Sequence, residues 1–198
     1  MNGKENPAAS KSTTEYATEF ATEFATLGGG CFWCVEAAIK QLEGVSEAIS
    51  GYAGGGIDDP SYEMICRGDS GHAEVVRFAF NPARIDYRTM LIAFFTAHDP
   101  TTLNQQGNDI GEQYRSVIFT HSHEQNRIAN EVIADLDAQH VWPRPIVTTV
   151  LPTPRFWPAE QYHQDYFSNN PRQPYCAAVV APKVAKLRKS FSDRIKKG

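Results

Sequence analysis

The run Thr26-Leu27-Gly28-Gly29-Gly30-Cys31-Phe32-Trp33-Cys34-Val35-Glu36 puts a thiol where an expected strand gives way to an expected helix. Phe32, Val35, Ile39 and Leu42 recur at the spacing of one helical face. A helix start offers unpaired backbone N–H groups and the positive end of the macrodipole, and both favour a thiolate. Three glycines leave room for a group to approach the sulfur, and two aromatic side chains follow it. Most lone cysteines are small core residues; the glycine-rich turn sets Cys31 apart. Such an arrangement suits nucleophilic sulfur chemistry on a small, partly apolar group. Cys31 and Cys34 also have the C-x-x-C spacing of zinc sites and redox disulfides. A structural zinc takes four ligands, usually from two such pairs. Cys66 and Cys176 stand alone, so no metal is expected. Thioredoxin-like thiol–disulfide exchange at Cys31 and Cys34 stays open as an alternative.

The second chemical signal is Glu74. Between His72 and Phe80 it shares a strand face with Val76, Phe78 and Phe80. A carboxylate on an apolar face is costly unless it is neutral, paired or functional. Desolvation raises its pKa and makes it a proton source. The plain alternative is a strand-end Glu that escapes to solvent. Gly107 to Ser116 is polar and turn-rich and holds Asp109 and Tyr114, and Pro60-Ser61-Tyr62 has a similar character. Tyrosines at such places mostly pack. Packing roles are also expected for the six histidines, His163 among aromatic residues included, since they show no metal spacing.

These residues need elements to hold them. Strands are expected at Val45–Tyr52, Ala73–Phe80, Ser116–Thr120 and Ile146–Leu151. Short helices are expected from Ser61 to Cys66, after an Asp86 cap, after the Ser122-His-Glu-Gln125 capping box, from Pro158 through Phe167, and from about Pro182. Gly44 is the expected stop of the Cys31 helix. Thr101 to Gly111 reads as loop, and Cys66 as structural. The irregular order favours α+β over a doubly wound sheet. With 198 residues, 41% hydrophobic and 21% charged, the chain fits one soluble catalytic domain over 23–198 behind a flexible extension over 1–22. An aromatic echo of period four, Tyr16, Phe20 and Phe24, is too brief for a repeat architecture. A net charge of −4 points away from nucleic acid, and the basic C-terminal segment reads as the solvated face of a docked helix. No signal or membrane-spanning run is visible, so a reducing cytoplasmic compartment is expected.

Taken together, Gly30-Cys31-Phe32-Trp33 with Glu36, Gly51-Tyr-Ala-Gly-Gly55, Pro60-Ser-Tyr62, Gly71-His-Ala-Glu74-Val75, His98-Asp-Pro100, Gly107-Asn-Asp109 through Gln113-Tyr-Arg-Ser116, Tyr162-His-Gln-Asp-Tyr166 and Tyr175-Cys176 resemble the A-type peptide-methionine sulfoxide reductases. The resemblance runs over roughly residues 23 to 192. It implies a ferredoxin-like two-layer α+β core with a mixed sheet, extra strands and long coil. It also implies reduction of methionine S-sulfoxide, free or in proteins, with thioredoxin as reductant and no cofactor. By position it makes Cys31 the nucleophile and Glu74 the proton donor. Tyr62, Tyr114 and Asp109 become polar partners of the sulfoxide oxygen, and Phe32 and Trp33 the apolar cradle. Cys176 matches the family's C-terminal resolving position. Cys34 stands where many relatives have Gly, so it is an alternative resolving thiol or the first member of a relay.

Overall fold

Along Glu23–Gly28 (β1) side chains alternate between two faces, and Ala25 and Leu27 turn into the main core. The structure, a computed structural model, describes residues 22–197. The chain continues through α1 (Phe32–Ile39), β2 (Val45–Ala53), α2 (Tyr62–Arg67), β3 (Ala73–Phe80) and α3 (Tyr87–Ala97). Two short strands, β4 (Gln105–Gln106) and β5 (Asp109–Ile110), form a hairpin. Then come β6 (Val117–Thr120), α4 (His123–Ala138), β7 (Thr149–Pro152), β8 (Phe156–Pro158), α5 (Tyr166–Asn169) and α6 (Ala181–Ser190). The N-terminal extension and most of the aromatic echo lie outside the described residues.

The main sheet has the order β7-β6-β1-β3-β2-β8. Its pairs are antiparallel except β6 with β7. The inner strands β6-β1-β3-β2, with α1 and α3 as crossovers, make the expected ferredoxin-like α+β core. Helices α1, α3 and α6 pack on one face over Val76, Phe78 and Phe80. A smaller cluster of Val75, Val117 and Phe119 lies on the other. β3 is thus covered on both faces and flanked on both edges, and β2 pairs with it as far as Ala53↔Ala73. Glu74 is therefore buried, at 2% exposure, and does not swing out to solvent as a strand-end Glu would.

Local capping signals form as expected. Ser61, Asp86 and Ser122 accept hydrogen bonds from the backbone N–H groups of Met64, Thr89 and Gln125. In the last case the reciprocal bond shifts by one residue, because Gln125 Oε1 accepts from the N–H of His121. Elsewhere long-range partners overrule the local reading. α1 ends at Ile39, and Gly44, at φ +89°, instead turns the chain against Ile85. The expected strand from Ile146 starts only at Thr149, the partner of Val117; before it, Ile146 N–H is taken by the Asp137 side chain and Val147 N–H by Pro100. Pro158 starts no helix. It closes β8 opposite Gly51, on a sheet edge where a missing N–H costs no pairing. Part of Thr101 to Gly111 is the β4–β5 hairpin rather than loop. Cys66 is exposed, since its neighbour Ile65 takes the buried position on α2.

The long coil after β8 is pinned by side chains. Gln164 occupies the sheet edge beside β2, accepting from Ser50 N–H at 2.9 Å and donating to Ser50 C=O at 3.0 Å. Buried Glu36 accepts from Ser50 Oγ–H at 3.1 Å and from Asp165 N–H at 2.9 Å. Removing it leaves two donors without partners. Glu36→Ala is expected to lower unfolding free energy by roughly 3 kcal/mol in chemical denaturation, and Glu36→Gln by less. Equal stability of Glu36→Ala and the unsubstituted protein would contradict this anchoring role.

Candidate active site

The turn into α1 is crowded rather than open. A Cβ on Gly28 would sit 2.7 Å from the Glu74 carbonyl oxygen, and one on Gly29 2.8 Å from the Phe94 ring. On Gly30, at φ +84°, it would sit 2.5 Å from Gln106 Cγ. The glycines therefore admit the protein's own neighbours, not a ligand as expected from the sequence. They let β1 press against β3 and let Gly30 N–H donate to the Tyr114 carbonyl at 3.2 Å. Cys31 itself is the helix cap, with φ −56° and ψ 126° and no side-chain cap bond.

One N–H freed at this helix start serves a buried side chain of the sheet: Phe32 N–H donates to Glu74 Oε2 at 3.0 Å. The Trp33 N–H favours the Cys31 thiolate. Burial pushes the Glu74 carboxyl up to about 8; the Phe32 N–H opposes this, and Asp109 and Cys34 add to it. At neutral pH Glu74 is mostly protonated. The thiols form a pair. Burial, the Cys34 thiol and the Glu74 carboxylate raise Cys31, against the expectation of a helix start, because these effects outweigh the Trp33 N–H. Cys34 falls to about 7, chiefly because the Cys31 thiol donates to it, with Lys183 and Tyr175 helping. The pair therefore parts with one proton easily and holds the other between its sulfurs. A thiolate on Cys31 would require that remaining proton to pass to Cys34.

Around this pair lie the other expected residues. Burial raises both the Tyr62 and Tyr114 phenols; the Cys66 thiol beside Tyr62 and the Glu74 carboxylate near Tyr114 come next, and both phenols stay protonated. Asp109 Oδ2, on β5, accepts from Tyr175 O–H at 2.6 Å. The same hydroxyl lies 4.0 Å from Cys34 Sγ. Phe32 is buried beneath the site, and Trp33 stacks on Tyr166 with centroids 3.7 Å apart and planes 7° apart. An open cleft of about 370 Å³ adjoins Asp109 and Tyr175 and extends to Lys183.

Cys176 lies in the core, at 0% exposure, in a wide helical turn over Cys176–Val180 that runs into α6. Burial, then the charge of nearby Cys34, pushes its thiol up. Tyr175, Lys183, Glu160 and His163 also enter the site or its wall, and sequence reasoning gave none of them a chemical role. Tyr175 precedes Cys176 directly, and His163 sits between tyrosines, which were the available signals. Among the described residues no three His, Cys, Asp or Glu side chains converge as metal ligands would.

With this geometry in view, the comparisons are specific. The family model described as "Peptide methionine sulfoxide reductase" matches residues 23–195. The chain is similar to "Peptide methionine sulfoxide reductase MsrA" of Polynucleobacter asymbioticus, 55% identical over 170 residues, covering 86% of this chain and 90% of that one. It is similar to the crystal structure of Mxr1 from Saccharomyces cerevisiae in reduced form, at TM-score 0.73 and 37% identity, covering 78% of this chain and 89% of the other. It also aligns with Mxr1 in complex with Trx2, at TM-score 0.52 and 25% identity over 73% of this chain and 84% of that one.

Burial of Glu74 has a stability consequence. Its carboxyl lies at the ordinary 4.5 when unfolded and at about 8 when folded, so the folded protein keeps a proton that the unfolded chain loses. The stabilisation tied to neutral Glu74 is complete below pH 4.5 and lost as pH rises through about 8. Glu74→Gln stays neutral throughout. It is expected to exceed the unsubstituted protein in stability above that pH by roughly 5 kcal/mol, the gap closing toward acid. Thermal midpoints of both proteins across pH measure this, and a pH-independent gap would contradict a raised carboxyl.

Proposed function

The chain belongs to the peptide methionine sulfoxide reductase family, and from that membership we propose that it reduces methionine S-sulfoxide to methionine through Cys31. The observation that carries the reading is the shared helix start, where one turn of backbone holds both the buried thiol and a neutral carboxyl.

A sulfoxide sulfur is electrophilic, and its oxygen leaves only when protonated. Cys31 attacks that sulfur as its proton passes to Cys34. Glu74 gives its proton to the oxygen, while Tyr62 and Tyr114 donate hydrogen bonds to it. Asp109, fixed by Tyr175, lines the polar side of the pocket. Phe32 and Trp33 enclose the methyl group. In balance, the oxygen passes from methionine to Cys31: methionine gains two electrons and Cys31 becomes a sulfenic acid.

The placement of the thiols favours resolution in relay. Cys34 lies three residues on in the same first turn and shares a proton with Cys31, so it condenses with the sulfenic acid, forms a disulfide and releases water. Cys176 neighbours Cys34 and attacks it, freeing Cys31 and leaving a Cys34–Cys176 disulfide. Thioredoxin is the dithiol that reduces this disulfide and leaves oxidised. We place the reaction in a reducing, cytoplasmic compartment, as a repair of oxidised proteins. No helix among the described residues is long and apolar enough to cross a membrane. Thioredoxin-like exchange at Cys31 and Cys34 would leave Glu74, Tyr62 and Tyr114 without work.

Turnover of resolved sulfoxide epimers, with dithiothreitol and then with thioredoxin, tests the assignment. The S epimer is expected to react and the R epimer not to. Cys31→Ser is expected to abolish methionine release with the fold intact, and substantial residual turnover would sink the nucleophile assignment. Glu74→Gln keeps a donor but transfers no proton, so the single-turnover rate is expected to fall by roughly two to four orders of magnitude. A rate within a few-fold of the unsubstituted enzyme would place the acid elsewhere. For the thiols, Cys176→Ser is expected to release one methionine per enzyme and accumulate a Cys31–Cys34 disulfide by peptide mapping. A free Cys34 with persistent sulfenic acid in that variant would exclude the relay.

A further inference from the structure

The short stretch Glu160–His163 takes no part in the chemistry above, yet it touches three elements that do. His163 lies in the turn Gln161–His163 and is 1% exposed. Its ring centroid is 5.1 Å from Phe32, 5.6 Å from Trp33 and 4.4 Å from Tyr62. Trp33 Nε1–H donates to its Nδ1 at 3.2 Å, which puts the imidazole proton on Nε2. That Nε2–H is buried without a hydrogen-bond partner and faces Glu160 Oε2 at 4.0 Å. Glu160 in turn accepts from the backbone N–H of Tyr62 at 2.8 Å and from Tyr52 O–H at 2.9 Å.

We propose that His163 is a positioning residue that sets the in-plane orientation of the Trp33 indole, and that Glu160 registers His163 against the start of α2 and so against Tyr62. The inference rests on the reading of Phe32 and Trp33 as the substrate cradle. Stacking on Tyr166 fixes the height of the indole but leaves it free to turn in its own plane, since dispersion between parallel rings is weakly directional. A hydrogen bond at the indole N–H is directional and stops that turn. The bond needs an unprotonated acceptor at Nδ1. The attraction between Nε2–H and the Glu160 carboxylate keeps the proton on the other nitrogen and the ring the right way round. A phenyl group of similar size would fill the same space without supplying the acceptor. Buried imidazole is thus retained here at the expense of an unmade hydrogen bond at Nε2, which packing alone does not explain.

The indole touches the substrate methyl and not the transferred proton. Its misorientation is therefore expected to weaken binding and to spare the chemical step. Single-turnover methionine release against sulfoxide concentration separates the two. In His163→Asn the amide oxygen can stand where Nδ1 stood, whereas in His163→Gln the polar group lies further out, near Nε2. The expected result is a sulfoxide Kd raised about tenfold in His163→Gln and within about threefold of the unsubstituted enzyme in His163→Asn, with the saturating rate constant little changed in both. In a Trp33→Phe background, which lacks the indole N–H, His163→Gln is expected to add less than about twofold, because the shared interaction is already gone. Asn and Gln variants of equal affinity, or a full Gln effect in the Trp33→Phe background, overturn the proposal. A loss confined to the saturating rate constant does so as well. Failure of the unsubstituted enzyme to reduce the sulfoxide, or an unimpaired Trp33→Phe enzyme, overturns the underlying cradle reading instead.

Discussion

The hydrogen bond from Phe32 N–H to the Glu74 carboxyl is the contact on which the site depends. It joins the first turn of α1 to the central strand of the sheet. A helix start normally satisfies its free N–H groups with a capping side chain. Here the cap is Cys31, which makes no such bond, and the N–H group of Phe32 goes to the Glu74 carboxyl instead. Close approach at the three glycines makes this possible, since any side chain there would push α1 off β3 or off Gln106. The helix, the strand and the crowded turn thus form one device with two reactive ends.

The device works by holding protons rather than charges. Burial keeps Glu74 neutral to about pH 8 and keeps the surrounding phenols protonated. The thiol pair holds one proton between two sulfurs, with the negative charge resting on Cys34. A second anion on Cys31 is disfavoured while Glu74 is ionised, because the two would face each other in a medium of low polarity. In the proposed mechanism this links transfer of the Glu74 proton to the substrate oxygen with attack by Cys31, since a neutral Glu74 favours an anionic sulfur. The same burial that tunes the acid destabilises the folded protein at alkaline pH, a trade of stability for reactivity of the kind found at catalytic sites.

Around the reactive core, the long C-terminal coil is held by polar side chains of both partners. Glu36 and Gln164 fasten it to β2, Glu160 fastens it to α2 and Tyr52, and Trp33 and Tyr166 lock it over α1. That coil brings Tyr175 against Asp109 and Cys176 beside Cys34. On the proposed relay, this placement of Cys176 near Cys34 is what the second exchange uses.

Features set by neighbours along the chain were legible in the sequence. The side-chain alternation of β3 put Glu74 on the face of Val76, Phe78 and Phe80, and the polar residues Ser61, Asp86 and Ser122 marked helix starts. In each case the physics acts over one turn or one strand period. The position of Cys31 at a strand-to-helix turn was legible for the same reason. Four matters waited for the tertiary structure. The glycines admit protein rather than ligand, Pro158 ends an edge strand, Cys66 is exposed while Cys176 is buried, and Cys31 is raised rather than lowered. Each depends on which distant segment arrives beside the residue: Gln106 on Gly30, β2 on β8, α6 on the core, Glu74 on Cys31. Sequence determines the local geometry and which groups can react. Burial and the charges brought by remote segments decide which of those groups carry a proton, and only the assembled fold provides both.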